Sequence, residues 1–301
     1  MESFSFSYPQ YLDAKSSVDR RSLHRGVWDR FLGGLTAQGP DIRLLEVGGG
    51  TGATLRRILG AVPPREFQHI RYVLLDERAD NLSAAREVLL DDLAEADATI
   101  LEENSSEIQC QIGHECRVRV VFEQADLLDY TTRREAAFDV VVAQAVLDLF
   151  DVPEIVDALD PVLAPGGLWY LPIHYDGLTA FEPTVDAELD RDILSIYQDS
   201  MTSPRSGRDL LTALPSHGAD LVRVGASDWI VHAGQDGQYL ENEEYFLKCI
   251  LWFIHTEVSH RPDVVSVDRL NRWAETRLRQ IESGNLIFLT HQLDILAQKS
   301  L

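Results

Sequence analysis

Residues 44–54 read LLEVGGGTGAT, an apolar run that meets an acid, Glu46, and opens into a loop carrying Gly48, Gly49, Gly50 and Gly52. Glycine has no Cβ, so such a loop can take positive φ and bring its backbone against a ligand. In an open α/β sheet the carboxyl end of a strand is where the binding crevice lies. The chemistry on offer is recognition of a nucleotide-like cofactor. Gly48, Gly50 and Ala53 also satisfy the dinucleotide spacing G-x-G-x-x-G/A, yet a dinucleotide enzyme presents its ribose-binding acid about twenty residues further on. Here the second apolar run, 72–75, ends in Asp76, 28 positions after Gly48. A carboxylate at Glu46 beside the loop would repel a pyrophosphate and accept from a cationic or hydroxyl-bearing ligand. The loop therefore predicts a ligand without phosphates.

Further acids and apolar runs follow in order: YVLLD at 72–76, EQADLLD at 123–129, FDVVVAQAVL at 138–147 and LAPGGLWYL at 163–171. Together with EVGGGTG this pattern, over roughly residues 41–172, resembles the class I methyltransferases that use S-adenosylmethionine. In that family the glycine loop passes under the methionine part of the cofactor, the acid closing the second strand binds both ribose hydroxyls, and the acid after the third approaches the adenine amino group. The resemblance implies Glu46, Gly48, Gly50, Gly52, Asp76, Asp126 with its neighbour Leu127, and Gln144 as cofactor residues, and S-adenosylmethionine as the cofactor. It also implies a small-molecule methyl acceptor and a Rossmann-like, doubly wound α/β sheet of seven strands with the last one antiparallel. A nicotinamide-dependent oxidoreductase and a non-catalytic cofactor-binding protein are the alternatives.

Methyl transfer is chiefly a matter of positioning, and a base is needed only for an acceptor that arrives protonated. The acceptor should lie at the ends of strands four and five, which nominates Gln144, Asp148, His174, Tyr175 and Asp176. His174 is the best base by intrinsic pKa; it could equally be a hydrogen-bonded strand end. Asp148 could orient the acceptor or cap the helix beginning near Pro153. Tyr8, Tyr11, Lys15 and Arg21 could close the other side, because small-molecule members of the family often carry an N-terminal lid. The run His-Tyr-Asp-Gly with Phe181 and Pro183 reads as a loop over the substrate mouth.

The elements that must position these groups alternate strand and helix, a parallel-sheet signal. Strands are expected over 43–47, 70–75, 117–123, 138–143 and 168–173, with helices over 51–59, 80–97 and 152–163. An apolar stripe from Leu23 through Val27, Trp28 and Phe31 to Leu32 predicts a helix laid on the core, and the polar stretch 102–114 reads as an inserted loop. Beyond the fifth strand come helices over 186–198 and 207–214, a sixth strand over 221–231 bent at Gly225, amphipathic helices over 241–257 and 267–282, and a last strand over 286–293. The organisation expected is an N-terminal helical lid at 1–35, a cofactor-binding core at 36–235, and a helical insertion plus final strand at 236–301.

The 301 residues hold 27 Lys and Arg against 49 Asp and Glu, a formal charge of −22. That balance excludes a polyphosphate partner held by counterion release, so no nucleic acid is expected. No stretch approaches a membrane span and the start has no signal-peptide character, so we expect no membrane partner and a cytoplasmic protein. Three cysteines are too few for a disulfide scaffold. Cys110, His114 and Cys116 form C-x3-H-x-C without a second ligand pair, and no metal is expected.

Overall fold

The computed structural model describes residues 4–96, 98–113, 116–132 and 135–301. Two helices come first, α1 (Tyr8–Ser22) and α2 (Arg25–Ala37). The stripe expected as one helix breaks at Leu23, where His24 caps α2 by accepting from the Val27 amide at 3.2 Å. The chain then alternates β1 (Asp41–Val47), α3 (Ala53–Ala61), β2 (His69–Asp76) and α4 (Ala79–Glu95). The stretch expected to be a loop instead forms a hairpin of β3 (Thr99–Glu103) and β4 (Glu107–Ile112). Ile108 and Cys110 point inward from it, and Asn104 shapes the turn by accepting from the Ser106 amide. His114 lies outside the described residues, while Cys110 and Cys116 are buried core residues.

After β5 (Cys116–Gln124) come α5 (Leu127–Thr131), β6 (Phe138–Ala143), α6 (Val152–Leu159) and β7 (Leu163–Glu182). The second half comprises α7 (Ala187–Asp199), α8 (Ser206–Ser216), β8 (Ala219–Ala226), β9 (Trp229–Val231), α9 (Glu243–Val258), α10 (Val267–Glu282) and β10 (Ile287–Lys299). The sheet runs β3-β4-β5-β2-β1-β6-β7-β10-β8, with β9 also on β10. From β5 to β7 the pairs are parallel, and β10 is antiparallel to both β7 and β8. This is the doubly wound α/β sheet, but with ten strands rather than seven: β3 and β4 extend one edge, and the expected sixth strand divides at Ser227 into β8 and β9. β7 continues far past Ile173, because β10 pairs with it as far as Glu182; the segment 174–182 is thus a strand and not a loop.

Helices cover both faces. α2, α3 and α4 pack with Leu44, Tyr72 and Val140 on one side, and α5, α6 and α8 with Leu45, Val141 and Trp169 on the other. The prolonged ends of β7 and β10 build a third core with α1, α7, α9 and α10 around Phe181, Phe246, Phe288 and Trp273. Inside it lies Arg277, 0% exposed, donating to Asp190 Oδ1 at 2.7 Å and to the Pro183 carbonyl at 2.8 Å. Among the described residues no helix is long and apolar enough to cross a membrane.

Candidate functional site

The strand order reverses between β1 and β6, and the carboxyl ends of these strands open onto a cavity of about 650 Å³. Gly48 and Gly50 lie in its wall with φ of +61° and +53°, a region that favours glycine. A Cβ on Gly48 would come within 2.5 Å of Val146 Cγ2, so the loop can follow this path only without side chains. Asp76 holds the loop in place. Its Oδ2 accepts from the Gly50 amide at 2.9 Å and its Oδ1 from the Arg78 amide at 2.9 Å and Asn81 Nδ2 at 3.0 Å. Leu127 and Gln144 also reach the wall, and Asp126 stands at its exposed rim while its Oδ1 caps α5. Gln144 accepts from Thr54 and Arg57, each at 3.0 Å, and donates to Asp19 of α1 at 2.9 Å.

Gly52, Glu46 and His174, each nominated from the sequence, do not line this cavity. Gly52 opens α3 in the left-handed conformation, and a Cβ there would approach Ala85 Cβ of α4 at 3.1 Å, so it serves helix packing. Glu46 faces the helix-covered side of β1, where the Tyr72 hydroxyl donates to it at 2.7 Å. Burial pushes its carboxyl up to about 7, against the opposing pull of Tyr72, Thr54 and the Leu55 amide. Glu46 is therefore the acid at the start of α3 rather than a ligand-facing group. His174 is 0% exposed and bonds the Ala143 carbonyl through Nε2 at 3.0 Å. Burial brings its pKa down to about 4, so it is a neutral tie between β7 and β6, and its imidazole is not presented to an acceptor.

Glu46 yields a prediction. The native carboxyl keeps its proton up to about pH 7, whereas in the unfolded chain it releases it near the ordinary value of about 4.5. Between these limits the native state binds more protons, so this group's contribution to stability falls as pH rises. Glu46→Gln should raise the melting temperature at pH 8 and leave it nearly unchanged at pH 4.5. Equal shifts at both pH values would show that Glu46 does not titrate in this way.

On the β7 and β10 side the cavity widens into an aromatic chamber that includes Tyr11, Tyr175, Tyr197, Trp229, Phe253 and Phe288. Asp148, in the turn after β6, also lines the cavity. Burial raises its carboxyl above the usual range, partly offset by its own backbone amide and the Lys15 charge, and Oδ1 has no partner among the described residues. The 1–35 segment divides: α1 covers the cavity with Tyr8, Tyr11, Leu12 and Lys15, whereas α2 packs on the sheet. Arg21 is not in the wall. It pairs with the buried Glu243 of α9, which also accepts from Ser17 at 2.8 Å, and so fastens α1 down. Asp176 is likewise structural, accepting from Arg208 Nε at 2.7 Å.

Sequence reasoning made no functional claim for the groups that β9 and β10 bring here: Trp229, Thr290, Gln292 and, behind them, Asp294. The available signal was Thr290, Gln292 and Asp294 at alternating positions of an otherwise apolar strand, which places three polar side chains on a buried face. Asp294 is 0% exposed and accepts from the His24 amide at 2.7 Å and the Ile173 amide at 2.8 Å. It secures Ile173 in the cavity wall at a φ of +61°, a conformation strained for a β-branched residue.

No protein-family model and no curated protein matches the chain. Among solved structures it is similar to a candidate methyltransferase from Bacillus halodurans, at 15% identity and a TM-score of 0.51, over 90% of this chain and 99% of that one. Weaker likenesses are a candidate sarcosine dimethylglycine methyltransferase from Galdieria sulphuraria (15% identity, TM-score 0.44, 90% of this chain and 85% of that one) and the (4+2)-cyclase SpnF (15% identity, TM-score 0.46, 94% and 82%). With its reversed strand order, helices on both faces and antiparallel β10, the chain has the Rossmann-like methyltransferase fold.

Proposed function

We propose that the protein binds S-adenosylmethionine and transfers its methyl group to a small-molecule acceptor. The observation that carries this reading is one cavity whose wall combines Gly48, Gly50, Asp76, Asp126, Leu127 and Gln144 with aromatic side chains and with Tyr8, Tyr11, Leu12 and Lys15 of α1. When bound, S-adenosylmethionine would supply an electrophilic methyl on a sulfonium, which the acceptor takes in line as the methyl–sulfur bond breaks and S-adenosylhomocysteine leaves. Gly48 and Gly50 would leave room for the methionine part, Asp76 would accept from the ribose hydroxyls, and Asp126 would accept from the adenine amino group. Asp148 and the chamber hold the acceptor, and α1 excludes water from the reacting groups.

The dinucleotide alternative is disfavoured for a reason different from the one the sequence offered. A pyrophosphate would sit on the N-terminus of the helix after β1, and in α3 that position is already served by Glu46 through Thr54 and the Leu55 amide. Isothermal titration should give saturable heat with S-adenosylhomocysteine and none with NAD. The opposite pattern would overturn the reading, and cofactor binding with no turnover across a broad acceptor panel would favour a non-catalytic binding protein.

A further inference from the structure

Gln144 stands one residue past β6 in the cavity wall, where the sequence nominates it as a cofactor contact. Its side-chain amide is already engaged at both ends. Oε1 accepts from Thr54 Oγ1 and Arg57 Nη1, each at 3.0 Å, and a carbonyl oxygen has two lone pairs to offer. Nε2 donates to Asp19 Oδ2 at 2.9 Å. Thr54 and Arg57 belong to α3, the helix that the glycine loop opens, and Asp19 belongs to α1, the helix that covers the cavity. One amide thus joins the cofactor side of the sheet to the cover.

The rest of the polar anchoring of α1 lies elsewhere. Ser17 and Arg21 bond Glu243 of α9, the Ser7 amide just ahead of α1 donates to the Tyr245 hydroxyl at 3.0 Å, and the Phe6 ring stacks on Trp252 with centres 4.5 Å apart. Toward the parallel strands and the helices between them, the hydrogen bond that an α1 side chain makes among the described residues is the one from Gln144 to Asp19. Asp19 is 4% exposed, and its Oδ2 also takes Lys15 Nζ at 2.6 Å, which keeps the carboxylate turned inward. Leu12 of α1 reaches the glycine loop itself: a Cβ on Gly50 would lie 3.3 Å from its Cδ1. Tyr8 and Leu12 share the wall with Gly48, Gly50 and Asp76, so a ligand on the loop would be bounded by α1, and its affinity depends on how firmly α1 is held.

We propose that Gln144 is a positioning residue: it clamps α1 to α3 across the cavity and holds the cofactor through α1, not by a contact of its own. The identity of that cofactor rests on the methyltransferase reading, whereas the clamp does not. Hydrogen bonds to a carboxylate are among the stronger ones. With the bond in place the covered state of the cavity dominates; without it α1 opens more often, and a bound ligand escapes during the openings. Asp19 lies outside the cavity wall, so the clamp can be broken and remade from its far end without touching the ligand.

Gln144→Glu keeps an acceptor for Thr54 and Arg57 but sets a second carboxylate against Asp19, and like charges at hydrogen-bond distance repel. Calorimetry should show S-adenosylhomocysteine binding weakened about ten-fold or more. Hydrogen exchange in the ligand-free variant should quicken over residues 8–22 and stay unchanged over 53–61. Asp19→Asn alone leaves an oxygen to accept from Gln144 and should cost less than about three-fold. Combined with Gln144→Glu it puts an amide donor opposite the new carboxylate, so affinity should return to within about three-fold of the parent protein, with slow exchange over 8–22 restored. A loss of affinity that Asp19→Asn does not restore, with exchange over 8–22 unchanged, would overturn the proposal and make Gln144 a direct ligand contact. Parent-like affinity and exchange in Gln144→Glu would overturn it as well. Should Gln144→Glu fail to fold, Gln144→Leu and Asp19→Leu replace it: the clamp requires each to loosen α1 and the double variant to lose no more than the worse single one, and additive losses would overturn it. If the parent protein does not bind S-adenosylhomocysteine, the methyltransferase reading falls, and exchange over 8–22 still decides the clamp.

Discussion

Replacing Asp76 by alanine should weaken S-adenosylhomocysteine binding by about ten- to a hundred-fold. Hydrogen bonds to a charged acceptor are each worth roughly 1.5–3 kcal/mol, and every 1.4 kcal/mol is about ten-fold in affinity. Asp76 acts twice, lining the cavity and fixing the Gly50 amide and Asn81. Asn81→Ala separates the two contributions: it removes a partner of the carboxylate while leaving the carboxylate itself, so its loss should be several-fold smaller. Calorimetry on folded variants, checked by circular dichroism, decides the matter. Unchanged affinity in Asp76→Ala would make Asp76 a loop-fixing residue alone.

The largest effect on stability should come from Asp190→Ala. Asp190 Oδ1 accepts from both Arg277 Nη2 and Trp273 Nε1 at 2.7 Å, in the core that carries the chamber. Removing it strands a guanidinium that is 0% exposed, and stripping one partner from a buried pair costs about 3–5 kcal/mol. The melting temperature should fall by roughly 5–15 °C. Asp190→Leu combined with Arg277→Met removes both charges and should recover more than half of that loss, because a buried pair is often replaceable by apolar residues. If the double variant melts no higher than Asp190→Ala, the damage is packing rather than an uncompensated charge.

What was legible in the sequence was local. The glycine loop, Asp76 and the central strands declare themselves within a few residues, because a turn's φ requirements and a buried strand's apolar run are properties of short segments. The hairpin was also written locally, as E-I-Q-C-Q-I over 107–112, but its polar half masks a clean two-residue alternation. The course of β7 past Ile173 was not legible, since it depends on pairing with β10 more than a hundred residues later. His174 shows the limit of intrinsic pKa as a guide: burial moves it to about 4 and turns a candidate base into a neutral strand tie. Trp229 carries no motif at all, and only the fold brings it into one cavity wall with Gln292 and Asp148.

The place of β10 also governs how the protein is made. It follows every other strand in the chain yet lies inside the sheet, between β7 and β8, with Ile295, Leu296 and Ala297 buried. Its ladder joins Ile287 to Glu182 and Gln298 to Leu168, contacts of high sequence separation that form late and slowly. Until β10 inserts, β7 presents an open apolar edge, the kind of surface that recruits other chains. The β10 side of the cavity wall, the brace on Ile173 and the join between β7 and β8 therefore all depend on the strand that is made last among those described.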